Sequence, residues 1–178
     1  MEFELAKALE ILERTPSVMK SLLLGISNEW TQQNEGPNTW SAYDVVGHLV
    51  HGEKTDWMPR LEIVLGTSER TTFEPYDRFA QFEMSKGKSL STLLSEFETL
   101  RKKNLETLRS KNLSEVDLNK TANHPSLGVV SLKNLLSAWV VHDLGHIAQV
   151  SRVMAKQYKE EIGPWINYLT IVKHTPKE

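Results

Sequence analysis

The chain contains no cysteine. Disulfides and Cys-ligated zinc or cluster sites are thereby excluded, a reducing cytoplasm is the expected compartment, and any thiol used in chemistry must come from outside the chain. No apolar run approaches the roughly 20 residues that span a bilayer. The opening Met1-Glu2-Phe3-Glu4-Leu5-Ala6-Lys7 lacks the basic-then-apolar order of a signal peptide, so no membrane partner is expected. Basic charge is not in excess either. Twenty-one Lys and Arg stand against 23 Asp and Glu, a formal charge of −2, which gives no electrostatic footprint for a nucleic acid. The one basic cluster, Arg101-Lys102-Lys103, has Glu96, Glu98 and Glu106 around it and reads as a solvated helix face. Internal repeats and low-complexity tracts are also missing.

What is present is an ordinary soluble composition, 39% hydrophobic and 25% charged, over 178 residues. That length suits a single domain, residues 1–178, able to bury a core without staples. Four stretches carry apolar residues at helical spacing. In the first, Leu5, Leu9 and Leu12 precede Thr15-Pro16, which predicts a break and a restart through Met19, Leu22, Leu23 and Ile26. The second opens at Ser41 with Asp44 three residues on, a capping-box pattern, and runs past Pro59, where a bend is expected, to Gly66. The third carries Leu90, Leu93, Leu94, Phe97, Leu100, Leu105 and Leu108, and the fourth runs from Ser131 to about Glu161. Connections of about twenty residues follow the second helix, Thr67 to Lys88, and the third, Lys111 to Val130. The first of these lets the second and third helices run parallel. The expected fold is all-α, a four-helix bundle, with Trp165, Tyr168, Leu169 and Val172 docking as a short coda.

The chemistry concentrates in Trp139-Val140-Val141-His142-Asp143-Leu144-Gly145-His146-Ile147-Ala148-Gln149. Histidines four apart on a helix lie about 40° apart around its axis and one turn apart along it, so both imidazoles can reach one point. Leu135, Trp139, Gln149 and Val153 share that stripe, which turns the pair toward the core. Buried imidazoles need polar partners, and a shared metal ion satisfies both. Asp143 stands where the metalloprotease motif has Glu, so that motif is absent. A third ligand comes from the second helix, where His48 and His51 both stand as candidates. His124 and His174 read as surface residues, and Gln149 as a partner for a ligand imidazole. Asp44, Glu53 and Asp143 are expected as exposed helical acids, with a role behind the ligands as the alternative. Trp57, Tyr76 and Trp139 are candidate cavity walls.

Trp40-Ser41 at a helix start, His48-Leu49 in its second turn and His142-Asp143-x-x-His146-x-x-Gln149 near the end of the last helix together resemble the DinB-like superfamily. The long connection after the second helix and the Gly163-Pro164-Trp165 ending extend the resemblance over nearly the whole chain. It implies an up-down-down-up four-helix bundle, with a metal held by His48, His142 and His146. The metal expected is divalent, zinc first, with nickel or iron as other choices. The resemblance also implies a homodimer and a small-molecule substrate. Some members of that superfamily use a low-molecular-weight thiol, so the expected activity is a thiol-dependent S-transfer or isomerisation. Metal-dependent hydrolysis, or metal binding without catalysis, is the alternative.

Overall fold

Serine starts three of the four long helices. The Ser41 and Ser131 side chains accept from the backbone N–H groups of Asp44 and Asn134, whose own side chains return the bond, and Ser89 accepts from Thr92. These contacts satisfy N–H groups that have no partner inside the helix. In the computed structural model, which describes residues 1–174, α1 spans Leu5–Leu23, α2 Asn28–Gln32, α3 Ala42–Thr55 and α4 Trp57–Leu65. They are followed by α5 (Ala80–Ser85), α6 (Leu90–Ser110) and α7 (Glu115–Leu118), a hairpin of β1 (Thr121–His124) and β2 (Gly128–Ser131), and α8 (Leu132–Lys156). Two 3-10 turns, Gly163–Asn167 and Thr170–Val172, close the described chain.

The bundle consists of α1, the α3–α4 pair, α6 and α8. Two apolar clusters give its direction. One joins the C-terminal part of α1 (Met19, Leu23) to the beginnings of α3 (Val45, Val46) and α6 (Leu93, Leu94) and the later part of α8 (Val150). The other joins the earlier part of α1 (Leu12) to α4 (Leu61), the end of α6 (Leu105, Leu108) and the beginning of α8 (Leu135, Leu136). The order is therefore up, down, down, up. Because α3–α4 and α6 run parallel, the chain must return along the bundle between them, and residues 66–89 make that return. Both α1 and α3 pack against α6 and α8, which puts α1 and α3 on a diagonal.

Pro16 does not break α1, contrary to the expectation from Thr15-Pro16. It lies inside one continuous helix. A proline in a helix interior leaves the carbonyl four residues earlier without its donor. Here that carbonyl belongs to Leu12, and Arg101 Nη1 donates to it at 2.8 Å. The second bundle helix is interrupted at Asp56, so that Pro59 falls in the first turn of α4, where its missing N–H costs little. The connection after α6 is also more ordered than its polar sequence suggests. It folds into α7 and an antiparallel hairpin with Thr121 opposite Ser131 and His124 opposite Gly128. Thr72 of the earlier connection bridges to Asn123 of that hairpin. The two long connections are thus tied together at one end of the bundle, beside the histidines. α8 ends at Lys156, a turn and more before Glu161.

Candidate metal centre

His48 sits in the second turn of α3, and His142 and His146 sit one turn apart on the antiparallel α8. Their Nε2 atoms converge. His142 Nε2 lies 3.0 Å from His48 Nε2 and 3.0 Å from His146 Nε2. Each of the three residues offers one ligand atom within 4.8 Å of the others. Three nitrogens at about 2.0–2.1 Å from a tetrahedral cation would be about 3.3 Å apart, so the spacing fits a metal ion.

The outer ring nitrogens decide which protons are where. His146 Nδ1 is 2.8 Å from Gln149 Oε1, an acceptor, so Nδ1 carries the hydrogen and Nε2 presents its lone pair inward. His48 Nδ1 is 3.2 Å from the Tyr76 hydroxyl, which accepts in the same sense. His142 Nδ1 is buried without a hydrogen bond, 3.8 Å from Asp143 Oδ1. With His142 in the same tautomer, three lone pairs face one point, the arrangement a cation takes up. Burial, followed by the neighbouring histidines, pushes His48 far below the usual histidine range. Burial, with His142 next to it, pushes His146 down to about 4, although Gln149 pulls the other way. Both rings are neutral at neutral pH and available as ligands.

Aromatic rings fix the three imidazoles. Trp40, the residue just before the Ser41 cap, packs on His48 at 4.8 Å and stacks on His146 at 6.5 Å. Trp57 meets His142 edge-on at 5.1 Å and is itself stacked on Trp139 at 5.4 Å. Of the three expected wall residues, Trp57 and Tyr76 line the cavity and Trp139 lies behind Trp57 in the core. The cavity holds about 950 Å³ and is open to one side. Trp40, Arg60, Arg78, His124 and Lys156 also lie on its wall.

His51 turns the other way. Its ring is buried against Met84 Sδ at 3.0 Å and the Asp77 carbonyl at 3.1 Å, so it is a core histidine. His174 is exposed as expected. His124 is half-buried on the cavity wall rather than on the free surface, its Nδ1 accepting from the Ser126 and Leu127 backbones. Asp44 serves the capping box of α3.

Glu53 and Asp143 are not exposed acids, and Arg101 is not on a solvated face. All three side chains are at most 1% exposed. Arg101 donates to Glu53 Oε1 at 2.7 and 3.0 Å and to Asp143 at 2.6 and 3.1 Å, as well as to Leu12. Asn104 donates to the other Glu53 oxygen at 2.9 Å. One guanidinium on α6 thereby binds α1, α3 and α8 at mid-height. Burial would raise the Asp143 carboxyl, but His142 beside it and the Arg101 charge outweigh that and hold it below the usual range. The sequence carried a signal for this cluster. Arg101 lies four residues from both Phe97 and Leu105, Glu53 four from both Leu49 and Trp57, and Asp143 four after Trp139, so all three occupy apolar stripes. Arg78 and His124 had no such signal, because the connections that carry them have no period.

A bundle of this topology with three convergent histidines defines a class, and the sequence places the chain in it. Residues 11–150 match the DinB superfamily, and the chain belongs to that superfamily. It is similar to a protein of Oceanobacillus iheyensis named "Putative metal-dependent hydrolase", with 24% identity over 147 residues that cover 82% of this chain and 83% of the relative. Its fold is similar to that of YfiT from Bacillus subtilis, described as "a probable metal-dependent hydrolase with an unusual four-helix bundle topology". That likeness has a TM-score of 0.73 at 23% identity and covers 86% of this chain and 87% of the other.

Proposed function

We propose that His48, His142 and His146 hold one divalent metal ion, zinc by default, and that the protein is a metal-dependent enzyme transferring an electrophilic group to a low-molecular-weight thiol. Three neutral imidazoles leave the ion its full charge and an open position, which at neutral pH favours the deprotonated form of a bound thiol or water. Imidazole ligation also suits nickel or iron. The observation that carries the reading is the convergence of three Nε2 atoms on the wall of an open cavity whose neighbouring carboxylates are all engaged.

Glu35 is paired with Arg152 and Lys156, Asp56 with Arg60, and Glu53 and Asp143 with Arg101. Each of these carboxylates is held by a basic side chain. A thiolate needs no base once formed, whereas hydrolysis must also deliver a proton to its leaving group. In the transfer, sulfur's electron pair forms the new S–C bond, the leaving group departs with the electrons of the broken bond, and the thiol proton passes to solvent. An isomerisation would use the same addition and reverse it. Gln149 holds His146 in the ligating tautomer. Tyr76 does the same for His48 by accepting from Nδ1, which leaves its own O–H to donate into the cavity. Burial, followed by the Asp56 charge, raises the Tyr76 phenol well above its usual range, so it stays a donor. The thiol comes from outside, since the chain has no cysteine.

Hydrolysis is the second reading, favoured by the descriptions of the two relatives. One experiment separates them. Zinc-loaded and metal-free protein are given a panel of low-molecular-weight thiols with alkyl and aryl electrophiles, and in parallel ester and amide substrates without thiol. Metal-dependent loss of free thiol supports transfer. Ester or amide turnover without thiol favours hydrolysis, and equal rates with and without metal overturn both.

A further inference from the structure

Arg78 stands out among the charged groups of the cavity wall. The wall carries three basic side chains, Arg60, Arg78 and Lys156, and two acidic ones, Glu35 and Asp56. Arg60 and Lys156 are each ion-paired with one of those acids. Among the described residues Arg78 has no carboxylate within ion-pair distance. Its guanidinium lies 5.4 Å from the Trp40 ring centre and 5.4 Å from that of Phe79. An arginine lying against rings has N–H donors that the rings do not occupy, and a guanidinium edge takes a carboxylate through two parallel hydrogen bonds. The neighbourhood is apolar. Phe79 and Phe82 are 62% and 42% exposed, lie 6.4 Å apart, and Phe82 also meets Trp40 at 6.4 Å. Trp40 is the ring packed on His48 and His146, so the unpaired cation and two of the three histidines share one indole as neighbour. Laid end to end, the two spacings put Arg78 at most about 10 Å from the His48 ring.

We propose that Arg78, with Trp40, Phe79 and Phe82, is a binding site for a carboxylate on an apolar or aromatic body, and that it selects anionic electrophiles for the three-histidine centre. The carboxylate binds the guanidinium edge, the apolar body lies along the exposed rings, and its far end reaches toward the open coordination position. A cavity with a net positive wall in a chain of net negative charge fits this preference. That the anion is a substrate rests on the function proposed above. The binding site itself does not.

The test uses metal-free protein and no thiol, so it stands apart from any assay of turnover. Benzoate and its uncharged isostere benzamide are titrated while the indole N–H resonance of Trp40, assigned with a Trp40→Phe variant, is followed. Benzoate is expected to bind about tenfold more tightly than benzamide, as for one charge-assisted bidentate contact. Arg78→Gln should abolish that preference and leave benzamide binding within about twofold, and Arg78→Lys should keep only part of it. Absence of a preference in the unaltered protein overturns the proposal, as does a preference that survives Arg78→Gln. A preference that appears only after zinc loading also overturns it, because the carboxylate would then be binding the metal.

Discussion

Replacing Arg101 by Met removes one buried cation and leaves five acceptor contacts without a donor. Two belong to Glu53, two to Asp143 and one to the Leu12 carbonyl that Pro16 has freed. Breaking a buried ion pair from one side costs about 3–5 kcal/mol, because the remaining charge is unpaired in a medium that solvates it poorly. Protonation limits the damage. Neutralising a carboxylate of ordinary pKa at about pH 7 costs about 4 kcal/mol, and that cost falls by about 1.4 kcal/mol per pH unit on acidification. Urea unfolding of metal-free Arg101→Met, followed by far-ultraviolet circular dichroism, should therefore show a loss of about 3–5 kcal/mol near pH 7. The loss should be visibly smaller near pH 5, since the variant escapes by taking up protons. Adding Glu53→Gln and Asp143→Asn should recover a large part of it, because no unpaired charge then remains. A loss below about 1 kcal/mol, or one that does not change between the two pH values, would refute this account of the bundle centre.

Three further outcomes follow from the same structure. Gln149→Leu removes the acceptor that orients His146, and metal affinity measured by chelator competition should fall about 10–100-fold with the fold intact. The His146 pKa lies below its unfolded value, so its contribution to stability is complete above about pH 6.5 and is lost as the pH falls toward 4. Metal-free protein should therefore lose stability between about pH 6.5 and 4.5, and His146→Gln should flatten that profile in urea unfolding. Ser41→Ala breaks the capping box that starts the His48 helix and should cost about 1 kcal/mol in the same assay, without altering the metal stoichiometry.

Periodicity carried most of the fold. The apolar stripes located the four bundle helices, and serine caps located the starts of two of them, because both signals are local. The same logic pointed His142 and His146 inward. It could not choose between His48 and His51, which differ by three residues and both turn out buried. Only the antiparallel packing of α3 on α8 separates the ring that meets His142 from the ring that meets Met84. Charge type misled where it was weighed above position. Arg101, Glu53 and Asp143 occupy apolar stripes, yet each looks like a surface residue in isolation, and their burial depends on three helices arriving together. Pro16 misled in a related way. A proline predicts a break when its freed carbonyl has no donor, and here the donor comes from a residue 85 positions later in the chain, Arg101. The cavity wall was the least legible part. Trp40 is visible beside its cap, but Arg78 and His124 lie in connections whose course is set by contacts between the two connections.

The central claim is tested most directly by metal content. Protein prepared without a histidine tag, loaded with zinc and freed of excess by gel filtration, is measured by elemental analysis for the unaltered chain and for His48→Ala and His51→Ala. About one zinc per chain is predicted for the unaltered protein and for His51→Ala, with nearly complete loss in His48→Ala. No retained zinc in the unaltered chain, or a stoichiometry that His48→Ala leaves unchanged, would contradict the three-histidine centre.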